Sequence, residues 1–317
     1  MDQSKTINLN IGSGSQAQQT AKAMLKIEEL LIKLDKEGKK PDAVIVYGDT
    51  NATPAGALAA VKLEIPVIHI EAGMRSGNFH QPEEINRRIS DHISSLLFTT
   101  GVQPTATLHR EGICEGVYNV GDVHKDSFLR IKKKVDDELP LSALLRDSGL
   151  NEDVFLRHKF ILVTIHRPAN TKTIENFDRI CQGLKQLAFP IIWPLHPRTR
   201  KLVDSAGYMK QVPANVHLIE PLSYPNLVRA LIDAHSIITD SGGLQVEAYW
   251  LRKRLITMRA ETEWTETLAG GWNVLCGNSI SCMLKNFHRN IDETKHDPLF
   301  GGSGKSADTI AKILKSW

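Results

Sequence analysis

The chain has 317 residues, 41% hydrophobic and 24% charged, with a formal net charge of +3; this is an ordinary globular balance with room for about two domains. It has no long basic run: Lys132-Lys133-Lys134 is brief and reads as a solvated helix face, which gives no footprint for nucleic acid. No apolar run approaches the ~18 residues of a membrane span and no leader precedes Lys5, so a cytoplasmic protein with no membrane contact is expected.

Cys114, Cys181, Cys276 and Cys282 lack C-x-x-C spacing, and the histidines form no H-E-x-x-H cluster. Neither a disulfide frame nor a metal site is therefore expected. In chain order, a turn-rich entry over Asn8 to Ser15 leads to an amphipathic helix from about Thr20 to Lys36. Ala23, Ile27, Leu30, Leu31 and Leu34 share one of its faces. Ala43–Tyr47 reads as a buried strand ending in Gly48-Asp49-Thr50. A helix from about Pro54 to Leu63 follows, then a strand Val67–Ile70 ending in Glu71-Ala72-Gly73. Strands of continuous apolar residues alternating with helices predict a parallel sheet covered on both faces. Ligands bind at the carboxyl ends of such strands, where Asp49 and Glu71 stand.

Pro82-Glu83-Glu84-Ile85-Asn86-Arg87 predicts a helix start, with Pro in the first turn and acids that at the least complement the dipole. Leu96–Phe98 and Val117–Val120 are further strands. Residues 123 to 158 are charged and helical, and the linker is placed there. The second half repeats the pattern. Strands end at His166-Arg167, His196-Pro197, Glu220-Pro221-Leu222, Arg259 and Gly277, and a helix from Lys305 to Leu314 closes the chain. The fold class is α/β: two Rossmann-like parallel-sheet domains facing across a cleft, the glycosyltransferase-B architecture.

One stretch organises the second half. Ser236-Ile237-Ile238 leads into Thr239-Asp240-Ser241-Gly242-Gly243, and Leu244, Glu247, Ala248 and Leu251 then fall at helical spacing. A strand, a Gly-Gly turn and a helix start form an anion site, because free N–H groups and the positive dipole end face it. Glu247 is placed to reach sugar hydroxyls beside a phosphate. An ordinary βα turn accounts for the same ten residues, since Ser and Gly are common at helix starts.

Gly48-Asp49-Thr50, His69-Ile70-Glu71-Ala72-Gly73-Met74-Arg75, Pro82–Arg87, Glu111-Gly112-Ile113, His166-Arg167, His196–Thr199, Glu220–Leu222 and 239–248 occur in one order. Together they resemble the non-hydrolysing UDP-N-acetylglucosamine 2-epimerases, from about residue 8 to the last helix. The resemblance implies that Ser241, Gly242, Gly243 and His166 hold a diphosphate. It places Glu247 on ribose and the Glu220–Leu222 loop beside uracil. Asp49, Glu71 and Glu83 match the family's functional carboxylates, with His166 beside them as catalytic. Arg75, Arg87, Arg167, His196 and Arg259 are expected to bind substrate. No cofactor or metal is implied, and a homodimer is expected. The implied domains are 1–150 and 158–302, with 303–317 packing back on the first.

The implied reaction interconverts UDP-N-acetylglucosamine and UDP-N-acetylmannosamine. Carbon 2 bears an acetamido group and is not beside a carbonyl, so its proton is hard to remove directly. Elimination of UDP from carbon 1 with loss of that proton solves the problem, and UDP re-adds to the 2-acetamidoglucal. Carboxylates stabilise the oxocarbenium-like state, and neighbouring carboxyls raise one another's pKa values so that one stays protonated.

Two departures stand out: His166-Arg167-Pro168-Ala169-Asn170 lacks the family's Glu, and the usual opening strand and Gly-Thr-Arg-Pro-Glu turn are absent. An incomplete first domain, weak activity and poor solubility are expected from the second departure. A glycosyltransferase on the same architecture and a binding protein without turnover are the alternatives.

Overall fold

The structure, a computed structural model, describes residues 6–317. The chain divides into two compact units. One runs to Asp126 and takes back Gly301–Trp317; the other is Ser127–Phe300. The division falls well before residue 150.

The first unit is built on β1 (Val44–Tyr47), β2 (Val67–Ala72), β3 (Leu96–Thr99) and β4 (Val117–Asn119). They pair in parallel in the order β1-β2-β3-β4. The helix Gln16–Lys36 opens with a Ser15/Gln18 capping box, which satisfies its first N–H groups. Its Leu31 packs with Val46, Ala57, Ala60 and Val67 on one side of the sheet. The closing helix Ser306–Ser316 sets Ile310 against Ile68, Leu96 and Phe98 in a second cluster. Strand β1 is an edge, and its Ile45 and Tyr47 are about half exposed.

The second unit holds β5 (Ile161–Thr164), β6 (Ile191–Pro194), β7 (Val216–Ile219), β8 (Ser236–Thr239), β9 (Arg254–Thr257) and β10 (Asn273–Leu275). All pair in parallel in the order β10-β9-β8-β5-β6-β7. One face packs Phe177, stacked at 4.9 Å on Trp193, with Ile238 and Met283. The other packs Leu144, Leu145 and Phe155 against Leu162, Ile192 and Ile237. The order reverses beside β5, and that reversal opens a crevice at the carboxyl ends of β5, β6 and β8.

Two expectations are corrected. Residues 127–157 do not form a linker. They make the helices Val123–Glu138, Leu141–Asp147 and Glu152–Arg157. Phe128, Val135, Leu144, Leu145 and Phe155 bury against the second unit's core, and a linker has no such anchoring. Cys276 and Cys282 form a disulfide, contrary to the reading of the cysteines. The end of β10 turns directly into the helix Ile280–Phe287, which brings residues six apart to a Cα separation of 5.4 Å. Among the described residues no His/Cys/Asp/Glu group could hold a metal, and no helix is long and apolar enough to cross a membrane.

Candidate functional site

In the second unit the site is organised by Asp240, fully buried at the end of β8. Its carboxylate accepts the His166 and Arg167 N–H groups at 3.1 and 2.8 Å and the Asn170 amide at 2.9 Å. The turn after β5 is thus clamped to the turn after β8. His166 Nδ1 lies 3.3 Å from the same carboxylate, and its ring stacks on His196 at 6.0 Å. His196 caps the helix Pro197–Ser205 by accepting from the Arg198 N–H.

Ser241 is the extended N-cap of the helix Gly242–Trp250, and its N–H is held by the Thr239 hydroxyl at 3.0 Å. Gly242 stands at the first helical position. A Cβ there would come within 2.7 Å of Glu263 Oε1, and Arg259 holds that side chain through Oε2 at 2.9 Å. A pocket of about 250 Å³ opens beside this turn, lined by Thr164, His166, His196, Leu222, Ser241 and Leu244. Its walls are mainly apolar with polar groups at the turn, the usual layout of a small-molecule site.

Expected residues outside that lining are placed differently. Glu220 is exposed and pairs with Arg200 at 3.0 Å. Glu247 is buried and receives the Tyr224 hydroxyl at 2.6 Å. Burial, and then the bond to Glu247, push the Tyr224 phenol far above its ordinary range. Arg167 and Gly243 flank the turn, partly buried and exposed respectively.

In the first unit the carboxyl ends of β1 and β2 and the helix Pro82–Ile93 supply the acids. Glu71 sits in a bulge where the β2–β3 register shifts, with a φ of 71° that side chains rarely adopt. The position of a Cβ on Gly48 is 3.6 Å from Glu71 Oε2, so the carboxyl lies directly over the Gly48-Asp49 turn. Burial, and then the charges of Asp122 and Asp49, push Glu71 up to about 8. Asp49 takes Arg87 Nη2 at 2.6 Å and Nε at 3.0 Å, and Asn86 holds the Asp49 carbonyl. Two neighbouring carboxyls are therefore held differently, one protonated near neutral pH and one in an ion pair. Such a pair can serve as acid and base.

Glu83 is exposed, whereas its neighbour Glu84 is fully buried. Burial alone would raise Glu84, but the Ser76 N–H and hydroxyl and Arg88 outweigh it and hold it below its usual range. Arg75, expected to bind substrate, braces the turn after β2. Its guanidinium is engaged by Asp91 at 2.7 Å, Glu111 at 2.7 Å and the Met74 carbonyl. Gly73 must be glycine for this turn. Its φ is +81°, and a Cβ would lie 2.4 Å from the Pro104 carbonyl oxygen.

The sequence reading missed Asp122, Asp240 and Tyr224. Asp122 follows β4 and Asp240 follows β8, so the strand-end rule that found Asp49 points to both. Tyr224 carries no such signal.

These two parallel-sheet units make the chain an α/β protein of glycosyltransferase-B type. The sequence model of the UDP-N-acetylglucosamine 2-epimerase family matches residues 3–315; the chain belongs to that family. A UDP-N-acetylglucosamine 2-epimerase homolog of Methanococcus maripaludis is 41% identical over 98% of this chain and 84% of its own. The UDP-2,3-diacetamido-2,3-dideoxy-D-glucuronate 2-epimerase of Pseudomonas aeruginosa is 35% identical over 96% of this chain and 82% of its own. The crystal structure of Methanocaldococcus jannaschii UDP-GlcNAc 2-epimerase in complex with UDP-GlcNAc and UDP matches with a TM-score of 0.84. Its identity is 35%, covering 98% of this chain and 84% of that one.

Proposed function

We propose that the chain is a UDP-N-acetylglucosamine 2-epimerase. It interconverts UDP-N-acetylglucosamine and UDP-N-acetylmannosamine by elimination and re-addition of UDP. The observation that carries this is the unlike pair Glu71 and Asp49. Inverting carbon 2 requires a proton taken from one face and returned to the other, hence an acid and a base both available near neutral pH. Glu71, held up to about 8 beside the Arg87-paired Asp49, meets that need.

The Ser241-Gly242-Gly243 turn with His166 takes the diphosphate at the start of a helix. The adjoining apolar pocket takes uracil against Leu222. Glu247 would share its carboxylate between ribose and Tyr224. Glu83 reaches the sugar from the exposed start of its helix, and Arg87 acts through Asp49. As UDP leaves carbon 1, the developing ring charge is stabilised by the carboxylates.

The test incubates the purified chain with UDP-N-acetylglucosamine and follows the anomeric protons by NMR. Signals of UDP-N-acetylmannosamine growing to a fixed ratio are expected. UDP binding without any new sugar signal would replace an epimerase with a nucleotide-sugar-binding relative.

A further inference from the structure

His69 is fully buried on β2, two residues before Glu71. Its Nδ1 is 2.7 Å from Asp91 Oδ1, and its Nε2 is 2.9 Å from the Gly48 carbonyl oxygen. A carbonyl can only accept, so Nε2 carries a hydrogen. Asp91 Oδ1 also takes the Gly73 N–H at 3.4 Å, while Oδ2 takes it at 3.2 Å and pairs with Arg75 Nη1 at 2.7 Å; a carboxylate paired with a guanidinium accepts on both oxygens, so Nδ1 carries a hydrogen as well. A neutral imidazole has one N–H; a ring that donates from both nitrogens is an imidazolium, here matched by the Asp91 carboxylate.

The two bonds join three elements. Gly48 belongs to the turn after β1 that carries Asp49. Asp91 belongs to the helix Pro82–Ile93 that carries Glu83 and Arg87. His69 itself lies on the strand that carries Glu71. Asp91 is fixed in turn through Arg75 to Glu111, and Glu111 to Arg88.

We propose that His69 is a positioning residue: as a doubly protonated ring it pins the Gly48-Asp49 turn beneath Glu71 and so sets the separation of the two reacting carboxyls. This rests on the epimerase function proposed above. Losing the Gly48 bond lets the turn drift while the uridine pocket, in the other unit, stays as it is. A displacement of about 1 Å between reacting groups costs up to ~100-fold in rate.

The first arm of the test does not need activity. Long-range proton–nitrogen NMR on the full chain labelled with nitrogen-15 in histidine, at pH 8, should show hydrogens on both His69 nitrogens. His69→Gln identifies the signals by their disappearance, and if that variant does not fold, His69→Asn identifies them. A single N–H at pH 8 overturns the proposal.

The second arm is kinetic. His69→Gln and Asp91→Asn should each lower kcat about 10- to 100-fold. KM for UDP-N-acetylglucosamine and the calorimetric Kd for UDP should stay within about threefold. The double variant should be hardly worse than either single one, since both act through one network. Parental kcat in either variant, or equal effects on kcat and UDP affinity, would overturn it. If the parental chain itself does not epimerise, the function fails, and the NMR arm still decides the state of the ring.

Discussion

Glu71 and Asp49 receive opposite treatment from the side chains around them. Asp49 meets a guanidinium; Glu71 meets a burying bulge and the charges of Asp122 and Asp49. Glu71→Gln should lower turnover by at least ~100-fold while UDP affinity changes little, read by the NMR assay and calorimetry. It should also change stability with pH. Folded Glu71 titrates near 8 against an ordinary 4.5, so the folded state holds the proton more tightly. Stability from this group is intact below 4.5 and is lost as pH rises through 8, by on the order of a few kcal/mol. A glutamine cannot ionise. The melting temperature of Glu71→Gln relative to the parent should therefore rise between pH 5 and pH 9, and a pH-independent difference would contradict it. Sequence located Asp49 and Glu71 because strand ends are legible from apolar runs. It could not tell that Glu84 is buried and Glu83 exposed, since adjacent helical acids differ by rotation alone. The ion pairs of Arg75 were not legible for a related reason: a cation beside acids looks the same whether it binds substrate or braces a turn.

The closing helix Ser306–Ser316 illustrates what elements depend on. Its first N–H groups are capped by Asp126, which accepts from Ser306 at 3.1 Å and Ala307 at 2.7 Å. Lys125 and Asp122 add bonds to the Gly302 and Gly301 carbonyls. Asp126→Ala should cost about 1 kcal/mol, as lost N-caps do. Faster amide exchange over 306–316, with exchange in the second unit unchanged, is the expected reading. The helix Gly242–Trp250 makes a different demand. Gly242→Ala places a methyl against Glu263, so either Glu263 leaves Arg259 or the turn opens. UDP affinity should weaken about tenfold or more by calorimetry, and an unchanged Kd would leave this turn as an ordinary βα connection. Helices were legible from periodicity, as at Gln16–Lys36, although the Ser15/Gln18 capping box starts that helix earlier than the Thr20 its apolar face suggests. Their partners were not: 123–158 reads as a linker because its charges are mixed and Pro140 and Gly149 interrupt it, while the burial of its apolar positions depends on residues a hundred positions away.

Across the whole molecule the two parallel sheets were legible because strands buried on both faces read as continuous Val/Ile/Leu runs. The order β10-β9-β8-β5-β6-β7 was not, since apolar runs carry no record of their neighbours. The Cys276–Cys282 pairing was hidden for the same reason. The chain spans 84% of the Methanococcus maripaludis relative, and the strand-end acids, the helix start and the pocket all lie within that span. The central claim is that carbon 2 loses its proton and regains one from the protein. Turnover of UDP-N-acetylglucosamine in deuterated water measures this directly. The account predicts UDP-N-acetylmannosamine carrying deuterium at carbon 2, with the same label appearing in recovered substrate as the mixture equilibrates. Product that keeps its original carbon 2 proton, or no product at all, would contradict it.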